Sequence, residues 1–154
     1  MGDRQFGEWL VTQRLLENDT LERAMEMYQT TQARLDTVLL DLGAIAEPSL
    51  LEALGRYYNA RTVSHAELAT IDAPVIRWVS PRIATRLRVI PFNLEGKTLS
   101  RAALDPTDLL IADELALMTG CLINSYATLE IRLYEALHNP YKIHLPAQYQ
   151  SLIR

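Results

Sequence analysis

The chain has 154 residues, of which 49% are hydrophobic and 22% charged, and its net charge is −4. That length and composition describe one globular domain, or two small subdomains packed together, and exclude a disordered chain. The acidic balance argues against a non-specific DNA or RNA binder, and a lone Cys121 excludes a disulfide framework or a cysteine-rich zinc site and points to a reducing compartment.

The first third is an internal repeat. Residues 5–28 lie on residues 34–57 without a gap, at an offset of 29 residues. Leu10 falls on Leu39, Leu21 on Leu50, Ala24 on Ala53 and Tyr28 on Tyr57. Each copy reads as two helices with a short joint. Phe6, Leu10 and Gln13 share one face of the first helix, and Leu15-Leu16 turns inward at the joint. Asn18-Asp19-Thr20 supplies cap oxygens for the second helix, which carries Leu21, Ala24, Met25 and Tyr28 on one stripe. In the second copy Gly43 ends a helix in the left-handed conformation, and Pro48 sits in the first turn of the next.

Beyond Tyr57 the pattern changes. Residues 59–73 read as a linker with a short strand at Thr62-Val63. Ser80-Pro81 starts a helix that includes Ile83 to Leu87. Val89 to Phe92 reads as a strand, placed at an edge by Pro91. Glu95-Gly96 is a turn, and Thr98 to Leu104 returns as a second strand. Asp105-Pro106-Thr107 breaks the chain, with Thr107 capping a helix from Asp108 to Met118. Gly120 ends that helix, Cys121 to Tyr126 forms a strand, and Leu129 to His138 forms the last helix. The resulting fold class is α+β, with three parts. Residues 1–60 form a helical-hairpin repeat subdomain, residues 61–141 a small α/β subdomain, and residues 142–154 a tail expected to dock on a neighbour.

No constellation argues for catalysis. Glu95-Gly96-Lys97-Thr98 resembles the end of a phosphate loop, but Pro91 stands where its first glycine belongs, and a strand follows instead of a helix. His65, His138 and His144 do not share metal-ligand spacing, so neither metal nor cofactor is expected. Cys121 reads as a buried thiol. No run of roughly 18 uncharged apolar residues is present, so no segment is expected to insert directly into a membrane.

The double repeat, followed by Ile90-Pro91, Ala103-Leu104-Asp105-Pro106-Thr107-Asp108 and Thr119-Gly120, resembles the MshEN domain. This is the GspE N-terminal domain of type II secretion and type IV pilus ATPases. The same domain type also closes inner-membrane glycosyltransferases of the phage adsorption protein B (NfrB) kind. The lack of a Walker A loop and the Pro146-containing tail favour that second context. The resemblance implies a non-catalytic regulatory domain. It would bind cyclic di-GMP and control an attached membrane machine, in the cytoplasm at the inner membrane. Its alternative is an adaptor that docks on a membrane-complex protein without binding nucleotide.

The residues that the resemblance assigns to the ligand are Phe6, Gly7, Leu10, Tyr28, Arg34, Leu35, Asp36, Leu39, Tyr57 and Asp105. Leu10 and Leu39 would be apolar walls, with Phe6 and Leu35 alongside. Arg34 matches the motif arginine of the second copy and would hold a guanine or a phosphate. Gly7 matches the motif glycine of the first copy and would admit ligand to the backbone. Asp105 would accept from a guanine edge. The departures are Gln5 for the first arginine, Arg14 for the first joint glycine, and Tyr28 and Tyr57 for two glutamines. Asp36 replaces the second glycine, and its charge is expected to oppose a phosphate.

Overall fold

The repeat read from the sequence is a repeat of backbone geometry. A computed structural model of the chain describes residues 3–31, 33–141 and 149. Four helices open it: α1 (Asp3–Thr12), α2 (Asn18–Thr31), α3 (Leu35–Asp41) and α4 (Glu47–Tyr58). Matched leucines close the core from both copies, with Leu10, Leu39 and Leu50 at 0% exposure and Leu21 at 1%.

Both joints have the same construction. Arg14 N–H donates to the Val11 carbonyl and Leu15 N–H to that of Leu10. At the offset positions Gly43 N–H donates to Leu40 and Ala44 N–H to Leu39. These are paired Schellman closures, which need a left-handed residue at the turn. Gly43 supplies it at φ 67° and Arg14 at φ 61°. An arginine there stores roughly 1 kcal/mol of strain that glycine avoids. At the first joint Leu16 is buried, whereas Leu15 is 37% exposed.

The stretch expected as a linker is ordered by short helices. Thr62 bridges Ala127 in parallel, in line with the short strand expected there. A capping box of Ser64 and Glu67 starts α5 (His65–Leu68), and α6 (Ala73–Ile76) follows. Ser80 Oγ accepts from Ile83 N–H to start α7 (Pro81–Leu87), which ends on Arg88 at φ 52°. The sheet comprises β1 (Val89–Glu95), β2 (Thr98–Ala103) and β3 (Leu122–Ala127), in that order. β1 pairs antiparallel with β2, with a register irregularity between Pro91 and Asn93, and β2 pairs parallel with β3. Pro91 thus lies on an edge strand, where its missing N–H is tolerated.

The crossover helix α8 (Leu109–Thr119) is capped by Asp108, whose carboxylate accepts from Leu110 and Ile111 N–H. This corrects the expectation of a Thr107 cap; the Thr107 hydroxyl donates to Asp105 instead. α8 is apolar nearly all round, yet only Leu115 is buried, and Leu110 and Leu117 are more than 80% exposed. The last helix, α9 (Glu130–Tyr141), runs through Pro140, one turn past its expected end at His138. The tail lies outside the described residues, as does His144, except that Tyr149 is buried against the helical lobe.

Two hydrophobic clusters result. One gathers the four repeat helices with Leu129 and Ile131; the other joins the sheet to Leu133 and Leu137. α9 therefore serves both lobes, its first turn in one core and its later turns in the other.

Candidate functional site

The seam between the lobes is built from two helix starts. Every helix leaves its first N–H groups without intrahelical partners. Asp36, in the first turn of α3, accepts through Oδ2 from Glu130 N–H at the start of α9, at 2.8 Å. Glu130 returns the contact. Its Oε1 accepts from Arg34 N–H at 2.9 Å and from the Thr37 hydroxyl at 2.9 Å. The Tyr149 hydroxyl donates to the same oxygen at 3.0 Å. Each helix is thus capped by a carboxylate carried on the other, with both acids almost fully buried. Burial pushes the Glu130 carboxyl above its ordinary value, and Asp36 adds to this against its hydrogen bonds. A second tie lies nearby, where Arg132 donates to both oxygens of Glu47 at 2.8 Å.

The Arg34 side chain leaves this seam and donates through Nε to Asp36 Oδ1 at 3.4 Å. Burial works against its charge, but Asp36, Tyr58 and Asp3 outweigh burial and raise its pKa. Arg34 then lines a cleft of about 190 Å³ between the lobes, together with Asp105 and Asp108. Arg88 and Arg101 also line it. Three guanidiniums against two carboxylates suit an anion with hydrogen-bonding edges. Two roomier hollows of about 650 and 660 Å³ lie elsewhere and contain none of the expected residues.

Of the residues expected at a ligand, the cleft brings together Arg34 and Asp105, 71 positions apart in sequence. Tyr57 and Tyr58 stand close enough to Asp105 to feel its charge, and Tyr28 is held by Asp3. Phe6, Trp9, Tyr57 and Tyr58 form a chain of ring contacts 5.1–6.3 Å apart.

The others have different tasks. Leu10, Leu35 and Leu39 are core residues at 0% exposure, closed to any ligand in this structure. Phe6 is also buried, at 5%. Gly7 is a packing glycine: a Cβ there would stand 2.4 Å from Leu21 Cδ1 and 3.0 Å from Leu35 Cδ2. It lets α1 approach α2 and α3, and does not open the backbone to ligand. Asp36 does not confront the cleft as a free negative charge, because Arg34 and the Glu130 N–H occupy both its oxygens. Arg88, Arg101 and Asp108 also line the cleft and were not among the expected ligand residues. The one available signal was a charged residue, Arg101, inside the otherwise small and apolar run Leu99 to Leu104.

A family model described as the MshEN domain matches residues 63–141. The type IV pilus assembly ATPase PilB of Myxococcus xanthus is 28% identical over 137 residues, which is 89% of this chain and 24% of the relative. PilB of Thermus thermophilus is 28% identical over 145 residues, covering 92% of this chain and 16% of the relative. The chain therefore spans a quarter or less of these curated relatives. Among solved structures, MshE with cdg superposes at a TM-score of 0.64 and 25% identity, over 88% of this chain and 98% of that one. The N-terminal domain of XpsE superposes at 0.60 and 21% identity, over 90% and 95%, which shows the shared fold.

Proposed function

The chain belongs to the MshEN domain family, and from that premise we propose that it is a non-catalytic regulatory module that binds cyclic di-GMP within a longer protein. The observation that carries this reading is the meeting of Arg34 and Asp105 in one cleft, with two further arginines beside them. A cyclic dinucleotide carries two phosphodiester charges and guanine edges rich in donors and acceptors. Arginine forks serve the phosphates and the guanine acceptors, and an aspartate serves the guanine N–H groups. Tyr57 and Tyr58 lie within electrostatic reach of Asp105, outside the cleft lining, and would be the aromatic residues for a base to lie on. The superposition on MshE with cdg supports the same ligand.

The attached machine is part of the proposal. Both curated relatives are pilus ATPases, which supports a secretion or pilus type of host over a glycosyltransferase. A location at the inner membrane would come from that host; among the described residues no helix is long and apolar enough to cross a membrane.

Titration calorimetry with cyclic di-GMP tests the reading. Binding is expected, and Arg34→Gln and Asp105→Asn should each weaken it by roughly tenfold or more. A folded chain that gives no heat at high micromolar ligand refutes it. The second reading, an adaptor for a protein partner, is favoured by the exposed leucines of α8, and a silent titration would leave it standing.

A further inference from the structure

Arg101 is a cation in the wrong place for a structural residue. It sits on β2, the central strand, between Pro91 of β1 and Ser125 of β3. Its side chain is among the most deeply buried in the protein, at 1% exposure. Nε donates to Ser125 Oγ at 2.8 Å and Nη2 to the Asp108 carbonyl at 3.3 Å. Nη1 is buried, and no group among the described residues accepts from it. Nor does any carboxylate among them form an ion pair with this guanidinium. The two nearest acids are committed elsewhere. Asp108 caps α8, and Asp105 accepts from the Thr107 N–H and hydroxyl.

A buried charge with only neutral partners and one orphan donor is costly, and native proteins rarely keep one without a use. A packed apolar side chain would be cheaper at this position. Arg101 lines the same cleft as Arg34 and Arg88, so a guanidinium without an ion-pair partner, eased only by the more distant charges of Asp105 and Asp108, borders a cavity. At about 190 Å³ the cleft is smaller than the roughly 300–1,000 Å³ of pockets that enclose a whole drug-sized ligand. It has room for part of a dinucleotide, such as a phosphate with the base edge beside it, while the remainder lies outside.

We propose that the Arg101 end of the cleft is a phosphate subsite, in which a small shift of the closely packed guanidinium lets Nη1 donate to a phosphate oxygen of the ligand and Arg88 closes on the same group. This deepens the cyclic di-GMP reading, but rests on it only for the identity of the rest of the ligand. An inorganic phosphate or the phosphodiester of a nucleotide presents the same oxygens.

The test uses the chain as it stands, together with Arg101→Met and Arg101→Lys. Each is titrated with inorganic phosphate and with cyclic di-GMP at constant ionic strength. Binding is read from the thermal midpoint and from the guanidinium NMR signal of Arg101. Arg101→Met fills similar space without the charge, so it is expected to fold with an equal or higher midpoint. Loss of the charge-assisted bond should weaken ligand roughly ten- to hundredfold in the Met variant, with partial recovery in the Lys variant.

A midpoint rise with phosphate in the wild type that is lost in Arg101→Met upholds the subsite. If cyclic di-GMP is silent in that case, the subsite stands and the cyclic di-GMP reading falls. Cyclic di-GMP binding of equal strength in wild type and Arg101→Met upholds that reading and overturns the subsite. Silence toward both probes overturns both.

Discussion

Asp36→Gly separates two views of the same residue. It restores the glycine of the family motif, so a view based on motif alone expects the ligand to gain and the fold to be indifferent. The structure predicts a damaged fold. Removing the carboxylate leaves the Glu130 N–H buried without its acceptor, which costs about 1–3 kcal/mol. It also strips Arg34 of its ion-pair partner at 3.4 Å. Glycine in the first turn of α3 adds up to about 1 kcal/mol of lost helix propensity. These losses share groups and do not simply add. A total of about 3–5 kcal/mol, typical of breaking a buried pair from one side, is expected. For a domain of this size that is a fall in Tm of roughly 10 °C. Urea denaturation followed by far-ultraviolet circular dichroism measures it, with an unchanged m-value as the check on two-state behaviour. Asp36→Asn keeps an oxygen for the Glu130 N–H and should lose only about 1–2 kcal/mol. If Asp36→Gly lies within about 0.5 kcal/mol of wild type, the range of an inconsequential surface change, the cross-capped seam is not what holds the lobes together.

Glu130→Gln should behave in the opposite way. The raised pKa of Glu130 means that its contribution is fully present below the unfolded value near 4.5 and is lost as pH rises through the folded value. The glutamine keeps an acceptor for Arg34 N–H, Thr37 and Tyr149 without a buried charge. It is expected to equal or exceed wild type at neutral pH, by on the order of 1 kcal/mol, with the difference closing toward pH 4.5. A clear destabilisation at neutral pH would refute this. Glu47 has the reverse sign. The hydrogen bond from Arg132 lowers its pKa, so its contribution is present above 4.5 and is lost as pH falls through the folded value. Glu47→Gln should lose about 1 kcal/mol at neutral pH, reduced by its partial exposure, and converge on wild type in acid denaturation series. Gly7→Ala sets overpacking of about 1–3 kcal/mol against a helix-propensity gain of about 1 kcal/mol. With Leu21 confined in the core, a net loss of about 1 kcal/mol is expected in chemical denaturation, and a gain would show that α1 can move away.

What the sequence disclosed follows from which signals are local. The repeat was legible because Leu10, Leu21 and Ala24 recur as Leu39, Leu50 and Ala53 at one offset. The sheet elements were legible because Pro91, Gly96 and Ser80-Pro81 punctuate them. The first joint was harder. Arg14 takes a glycine's backbone conformation, and only its alignment with Gly43 betrays this. The Thr107 and Asp108 ambiguity arose because either side chain can cap a helix and nothing local decides between them. Arg34 and Asp105 were singled out through their motifs, and the structure places both on one cleft. Leu10, Leu35 and Leu39 were expected as ligand walls and lie in the core of this structure; an apolar side chain reads alike in either place. The cross-caps between Asp36 and Glu130 span 94 positions and leave no local trace.

Arg34 stands in both systems, and this limits how strongly a ligand can act on the fold. Its main-chain N–H belongs to the seam, bonded to Glu130, and its guanidinium belongs to the cleft. A phosphate that draws the guanidinium away from Asp36 leaves that main-chain bond and the Asp36–Glu130 cap intact. Among the contacts the ligand exchanges, beside those of Arg34 with Tyr58 and Asp3, is one ion pair at 3.4 Å on a side chain that is 23% exposed. Such a contact is worth about 1 kcal/mol, so coupling through that ion pair alone changes an equilibrium between the lobes by about fivefold. A switch much steeper than that would have to draw its free energy from other contacts that the ligand makes.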